Sequence, residues 1–131
     1  MKSAAETRKR RGRPRKFDRE QALERALDLF WTRGYEATSL ADLTEAMGIA
    51  PPSLYAAFGS KEQLFFEALE RYGVQYGAIV ERALEEGATA REAVERLLAE
   101  SARLYTLPGK PRGCFVVAGA ACLAGALGVV L

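Results

Sequence analysis

An all-α fold is predicted for this 131-residue chain, and three observations predict it. Apolar residues recur every three or four positions along most of the chain, and no stretch alternates with period two between turn residues. Asp18, Ser39, Ser60 and Thr89 each stand just ahead of such a run, with Gln21, Asp42, Gln63 and Glu92 three residues on, the pattern of a helix N-terminus. Gly34, Gly48 and Gly87 close the runs, where a residue without a Cβ leaves a helix easily.

The elements follow in order. A helix over 18–33 turns Ala22, Leu23, Ala26, Leu27, Phe30 and Trp31 to one side. A short helix over 40–47 points Leu40, Leu43, Ala46 and Met47 inward, and Gly48 ends it. The next, over 51–58, starts with Pro51 and Pro52, where a first turn has no backbone partner for its N–H groups. Leu54 and Phe58 face its core side, and Gly59-Ser60 breaks the chain. The apolar repeat from Leu64 through Phe65, Ala68, Leu69, Tyr72, Tyr76, Ile79 and Val80 to Ala83 predicts one long helix over 61–86, roughly 39 Å in length. That is longer than a three-helix unit needs, so a second domain is expected at its far end. A helix over 89–105, a Pro/Gly-rich loop over 107–113 and one more helix beyond Gly113 complete the chain. The expected organisation is a disordered basic arm over 1–16, a three-helix helix-turn-helix unit over 17–62, and a partial helical domain over 63–131, joined through the long helix.

Charge is unevenly placed. Residues 1–16 carry eight basic side chains and one acidic; the rest carry eleven and sixteen. A basic arm on an acidic body points to a polyanionic partner. The sequence contains no histidine, no Gly-rich phosphate loop and no clustered carboxylate site, so neither enzyme chemistry, a metal nor a cofactor is expected. Cys114 and Cys122, about 12 Å apart along one helix, are too distant for a disulfide and read as small buried hydrophobes. The arginine-rich start has no apolar stretch behind it and is not a secretory signal, which places the chain in reducing cytoplasm. The 18 residues Cys114–Leu131 hold no charge. Gly119, Gly125, Gly128 and the alanines among them make a core helix rather than a membrane span.

The helix-turn-helix arrangement puts the 51–58 helix in a DNA major groove while the 40–47 helix crosses the backbone. Thr38 and Ser39 offer hydroxyls and free N–H groups for a phosphate. Tyr55 and Lys61 can reach others. Pro51, Pro52 and Ser53 open the reading helix, which has no arginine for bidentate guanine contact, so thymine methyls and DNA shape are what it can read. In the arm, Arg11-Gly12-Arg13-Pro14 has the form of an AT-hook core, with Arg11 and Arg13 suited to a narrow A·T minor groove.

The run Ala26-Leu27-Asp28-Leu29-Phe30, Gly34-Tyr35-Glu36-Ala37-Thr38-Ser39-Leu40, Asp42-Leu43, Met47-Gly48-Ile49, Ser53-Leu54-Tyr55, Phe58 and Lys61-Glu62 resembles the DNA-binding domain of the tetracycline-repressor (TetR) family over residues 17–69. The resemblance implies a one-component repressor: a homodimer that binds an operator in double-stranded DNA and leaves it when its C-terminal helical domain takes up a small-molecule effector. It puts Thr38, Ser39, Pro51, Pro52, Ser53, Tyr55 and Lys61 at DNA-contacting positions. Ala41 stands where the family is often basic. Pro111-Arg112-Gly113-Cys114-Phe115-Val116-Val117 resembles the start of the sixth helix in one group of members, and the chain stops at Leu131, well before members usually end. An effector site is expected among Tyr72, Tyr76, Ile79, Leu104, Tyr105, Phe115 and Leu123. The other reading is a truncated or architectural DNA binder that prefers A·T pairs and senses nothing.

Overall fold

Each cap residue read from the sequence opens a helix in the computed structural model, which describes residues 18–119. The Asp18 carboxylate accepts the Gln21 N–H ahead of α1 (Arg19–Arg33). Ser39 and Asp42 cap each other's backbone, both bonds at 3.0 Å, ahead of α2 (Leu40–Met47). At the far end of α2, Gly48 is left-handed (φ 68°), and the Ile49 N–H closes on the Thr44 carbonyl, a turn that favours glycine. α3 (Pro51–Phe58) has no side-chain cap and begins on its two prolines. Ser60 caps α4 (Lys61–Tyr76), α5 spans Ala78–Glu86, and Thr89 caps α6 (Ala90–Tyr105). A further helical segment starts at Phe115 and runs to the last described residue. Among the described residues there is no strand, and no helix is long and apolar enough to cross a membrane.

The six apolar positions of α1 are all buried. Leu27 and Phe30 meet Leu43, Leu54, Leu64, Phe65 and Ala68 in one core, with Met47 and Phe58 at its edge. That core continues into an aromatic layer. Phe65 lies edge-on to Phe30 at 5.1 Å and to Phe115 at 5.4 Å, and Trp31 stands edge-on to Tyr72 at 5.0 Å and to Tyr76 at 5.7 Å. Edge-to-face contacts of this kind add to the burial of large rings. Outside the core, Arg71 of α4 pairs with Glu20 and Glu24 of α1. The 107–113 loop is fastened to α1 twice: the Trp31 indole N–H donates to the Gly113 carbonyl at 3.1 Å, and Lys110 pairs with Asp28 at 3.1 Å.

Three expectations are corrected. The run over 61–86 is not one helix: it is interrupted at Gly77, whose N–H bonds the Gly73 carbonyl at 2.7 Å while the Val80 N–H returns to Gly77. A methyl group on Gly77 would run into the Gly73 carbonyl oxygen. Apolar periodicity continues through the break, and only the Gly73/Gly77 pair, each glycine unfavourable in a helix interior by about 1 kcal/mol, marks it. Leu40 and Val80, expected inward, are 36% and 48% exposed, because no described element packs on those sides. Cys114 is half-buried and hydrogen-bonded rather than a small buried hydrophobe. The arm with Arg11 and Arg13, and Cys122 and Leu123, lie outside the described residues.

Candidate nucleic-acid interface

α3 buries two side chains. Leu54 and Phe58, four residues apart, are buried, while Pro51, Pro52, Ser53, Tyr55 and Ala56 are exposed. The exposed row is short and nearly free of hydrogen-bonding groups. Pro51 and Pro52 also remove the two amides that a helix start normally offers an anion, and the Ser53 N–H turns back to the Ala50 carbonyl. The first turn of α3 therefore presents pyrrolidine rings and the Ser53 hydroxyl, a surface suited to a groove floor rather than to phosphate. Tyr55 is 47% exposed.

The start of α2 differs from that of α3. Ser39 is exposed, and its N–H and hydroxyl are engaged with Asp42, which leaves the N–H groups of Leu40 and Ala41 without intrahelical acceptors. The backbone N–H of Ser39 and then its hydroxyl hold the Asp42 carboxyl below the usual range, and Arg33 stands 3.4 Å away. Thr38 is placed differently from its neighbour. Its side chain is fully buried and its hydroxyl donates to the Gly34 carbonyl at 2.6 Å, so that hydroxyl braces the α1–α2 turn and does not face solvent. Lys61 is half-buried, its ammonium 4.2 Å from the centre of the Tyr35 ring; a cation held over an aromatic face is steered as well as stabilised.

Arg19 is a contact that sequence reasoning passed over. Nη2 and Nε donate to the Ala57 carbonyl at 2.9 and 3.3 Å, Nη2 pairs with Glu67 at 2.7 Å, and the guanidinium lies 4.3 Å from the Phe58 ring centre. The partners are 38 and 48 residues away in sequence, and no local pattern signals them.

The residues expected around an effector separate into two places. Tyr76, Ile79 and Leu104, with Arg82, Glu100 and Leu107, line an open groove of about 310 Å³ between the α4–α5 junction and α6. Tyr72 and Phe115 instead fill the aromatic core. Tyr105 stands by Cys114, whose thiol accepts the Tyr72 hydroxyl at 3.7 Å. Burial pushes that thiol up, but the Val117 N–H, the hydroxyls of Tyr72 and Tyr105, and the Val116 N–H outweigh it, and the net shift is down. Burial, then Cys114, pushes the Tyr72 phenol far up, so it stays a donor. Among the described residues no group of His, Cys, Asp and Glu could hold a metal ion.

Residues 22–68 match the family model described as bacterial regulatory proteins, tetR family. The chain is 46% identical over 110 residues to the HTH-type transcriptional repressor ComR of Escherichia coli K12, a match that covers 83% of this chain and 52% of ComR. It is 42% identical over 108 residues to the HTH-type transcriptional repressor BdcR of the same organism, covering 82% of this chain and 55% of BdcR. Among solved structures it is similar to a cysteine-substituted TetR family regulator, CifR, complexed with 26-bp double-strand operator DNA: TM-score 0.80, 53% identity, 88% of this chain and 62% of that one. The chain spans about half the length of the curated relatives it matches.

Proposed function

Through residues 22–68 the chain belongs to the tetR family of bacterial regulatory proteins, and from that premise we propose that it represses transcription by binding an operator sequence in double-stranded DNA. The observation that carries the reading is the division of labour on α3: Leu54 and Phe58 are buried and Pro51, Pro52, Ser53 and Tyr55 stand exposed, while α2, which packs on α3, exposes Ser39 at its start. In this reading Pro51, Pro52 and Ser53 meet base edges, and Tyr55, Ser39 with the free α2 amides, and Lys61 meet phosphates. Thr38 contributes by holding the turn. Arg11 and Arg13 enter the flanking minor groove. The protein works as a homodimer in the bacterial cytoplasm, by binding and not by catalysis. A small molecule seated in the groove between α4–α5 and α6 releases it, since both strands of the junction that the groove touches, α4 and the 107–113 loop, are fastened to α1.

Selection from a random-sequence DNA pool, followed by gel shift on the selected and a shuffled duplex, tests the reading. A recurring two-fold symmetric site bound well above the shuffled duplex is expected. Equal binding to both would leave only charge-driven association and sink it.

A further inference from the structure

α3 is poorly anchored for a helix that must read bases. It has eight residues and no side-chain cap at its start. A helix this short does not persist by itself in water. Two buried side chains, Leu54 and Phe58, and the partly buried Ala57 fix its face, but contacts on one narrow stripe leave its tilt weakly determined. At its far end the last carbonyls carry partial negative charge and lack intrahelical donors. The Gly59 N–H serves Tyr55, and the Ala57 carbonyl is taken by the fork of Arg19 from α1. The same guanidinium lies on the Phe58 ring and meets Glu67 of α4. One side chain thus touches the end of α3, its buried anchor, and the helix behind it.

We infer that Arg19 is a positioning residue for base reading: it sets the tilt of α3 against α1 and α4, so that Pro51, Pro52 and Ser53 meet base edges in register, and does not itself touch DNA. The inference rests on the DNA-binding function proposed above. Its parts are unequal. The Arg19–Glu67 pair is partly solvated, at 41% and 33% side-chain exposure, and such pairs contribute little. The charge-assisted bonds to the Ala57 carbonyl and the stacking on Phe58 carry the effect.

The test uses the full chain, with Arg19→Gln, Arg19→Lys and Glu67→Gln, against a duplex carrying the site that the unaltered chain selects and a shuffled duplex, titrated across salt. Arg19→Gln should weaken binding to the selected duplex about ten-fold, with shuffled-duplex affinity and the salt slope unchanged. Arg19→Lys keeps the charge and the stem but not the planar fork, so it should lose a few-fold in the same ratio. Glu67→Gln should stay within about two-fold. Should Arg19→Gln fail to fold by circular dichroism, the Arg19→Lys ratio decides. An equal loss on both duplexes, with the salt slope lower by about one, would make Arg19 a phosphate contact and overturn the inference. So would a lowered unfolding temperature with the selected-to-shuffled ratio unchanged, the mark of a purely structural role. If the unaltered chain selects no site, the DNA-binding function itself fails and this inference with it; a selected site with an unaltered ratio in the variants sinks the inference alone.

Discussion

Cys114 and Tyr55 show how differently two polar side chains can stand in a small helical protein. The Cys114 thiol is made more acidic than usual by donors that surround it against the opposing effect of burial. Since the thiolate is the nucleophile, in a Cys122→Ser background Cys114 should be alkylated by iodoacetamide at neutral pH, and Tyr72→Phe should slow that reaction several-fold. Mass spectrometry over a time course reads it, and an unchanged rate would mean that the Tyr72 hydroxyl does not stabilise the thiolate. Tyr55 has no such company: it is 47% exposed and its hydroxyl is assigned to a phosphate. Tyr55→Phe should weaken binding by about 1 kcal/mol for selected and shuffled duplexes alike, and a change in sequence preference without a change in overall affinity would refute that assignment. Exposure was legible where it follows from local spacing. The exposed set on α3 is simply what Leu54 and Phe58 leave uncovered. Thr38 was not legible, because its burial depends on the Gly34 carbonyl across a turn, nor was Arg19, whose partners lie on distant helices.

At the scale of the elements, the caps carry most of the legibility. Asp18, Ser39, Ser60 and Thr89 each accept the N–H three residues on, and Pro51 and Pro52 open α3, so five of the six starts from α1 to α6 stand within a residue or two of where local chemistry puts them. The exception is α5. Its start is set by the Gly73/Gly77 break, which apolar periodicity runs straight through. Gly77→Ala separates two forces there. Alanine favours a continuous helix by about 1 kcal/mol, whereas with the break as it stands its methyl group meets the Gly73 carbonyl and overpacking costs about 1–3 kcal/mol. A lower urea midpoint is expected for this variant. A higher one would mean that α4 and α5 run as a single straight helix in solution.

α1–α4 surround the core, to which Phe115 also belongs, and the α5–α6 hairpin follows at Gly77 and is tied back where Lys110 and Gly113 meet Asp28 and Trp31. Ion pairs tie α1 to α2 and α4, which gives the stability of the fold a defined pH dependence. Burial pushes the Glu24 carboxyl up, but Arg71 and Gln75 more than offset it; Asp42 is held down by the Ser39 N–H. Both carboxyls are lower in the folded chain than unfolded, so their contribution is complete above about pH 4 to 4.5, the unfolded range, and is lost as pH falls through the lowered folded values. With no histidine in the chain, unfolding free energy should be nearly flat from about pH 5 to 7 and then fall on acidification. Glu24→Gln should flatten that acid limb in urea titrations at several pH values, and an unaltered limb would remove Glu24 from the account. The place where α1 meets the end of α4 and the 107–113 loop has an optical consequence as well. Trp31 is the sole tryptophan, and its indole touches Tyr72 and Tyr76 while its N–H reaches Gly113. Tyr76 also lines the groove. The emission of this one fluorophore therefore reports on the seam itself, and a compound settling beside Tyr76 should shift its wavelength or yield without any label, turning an effector search into a reading of the chain's own light.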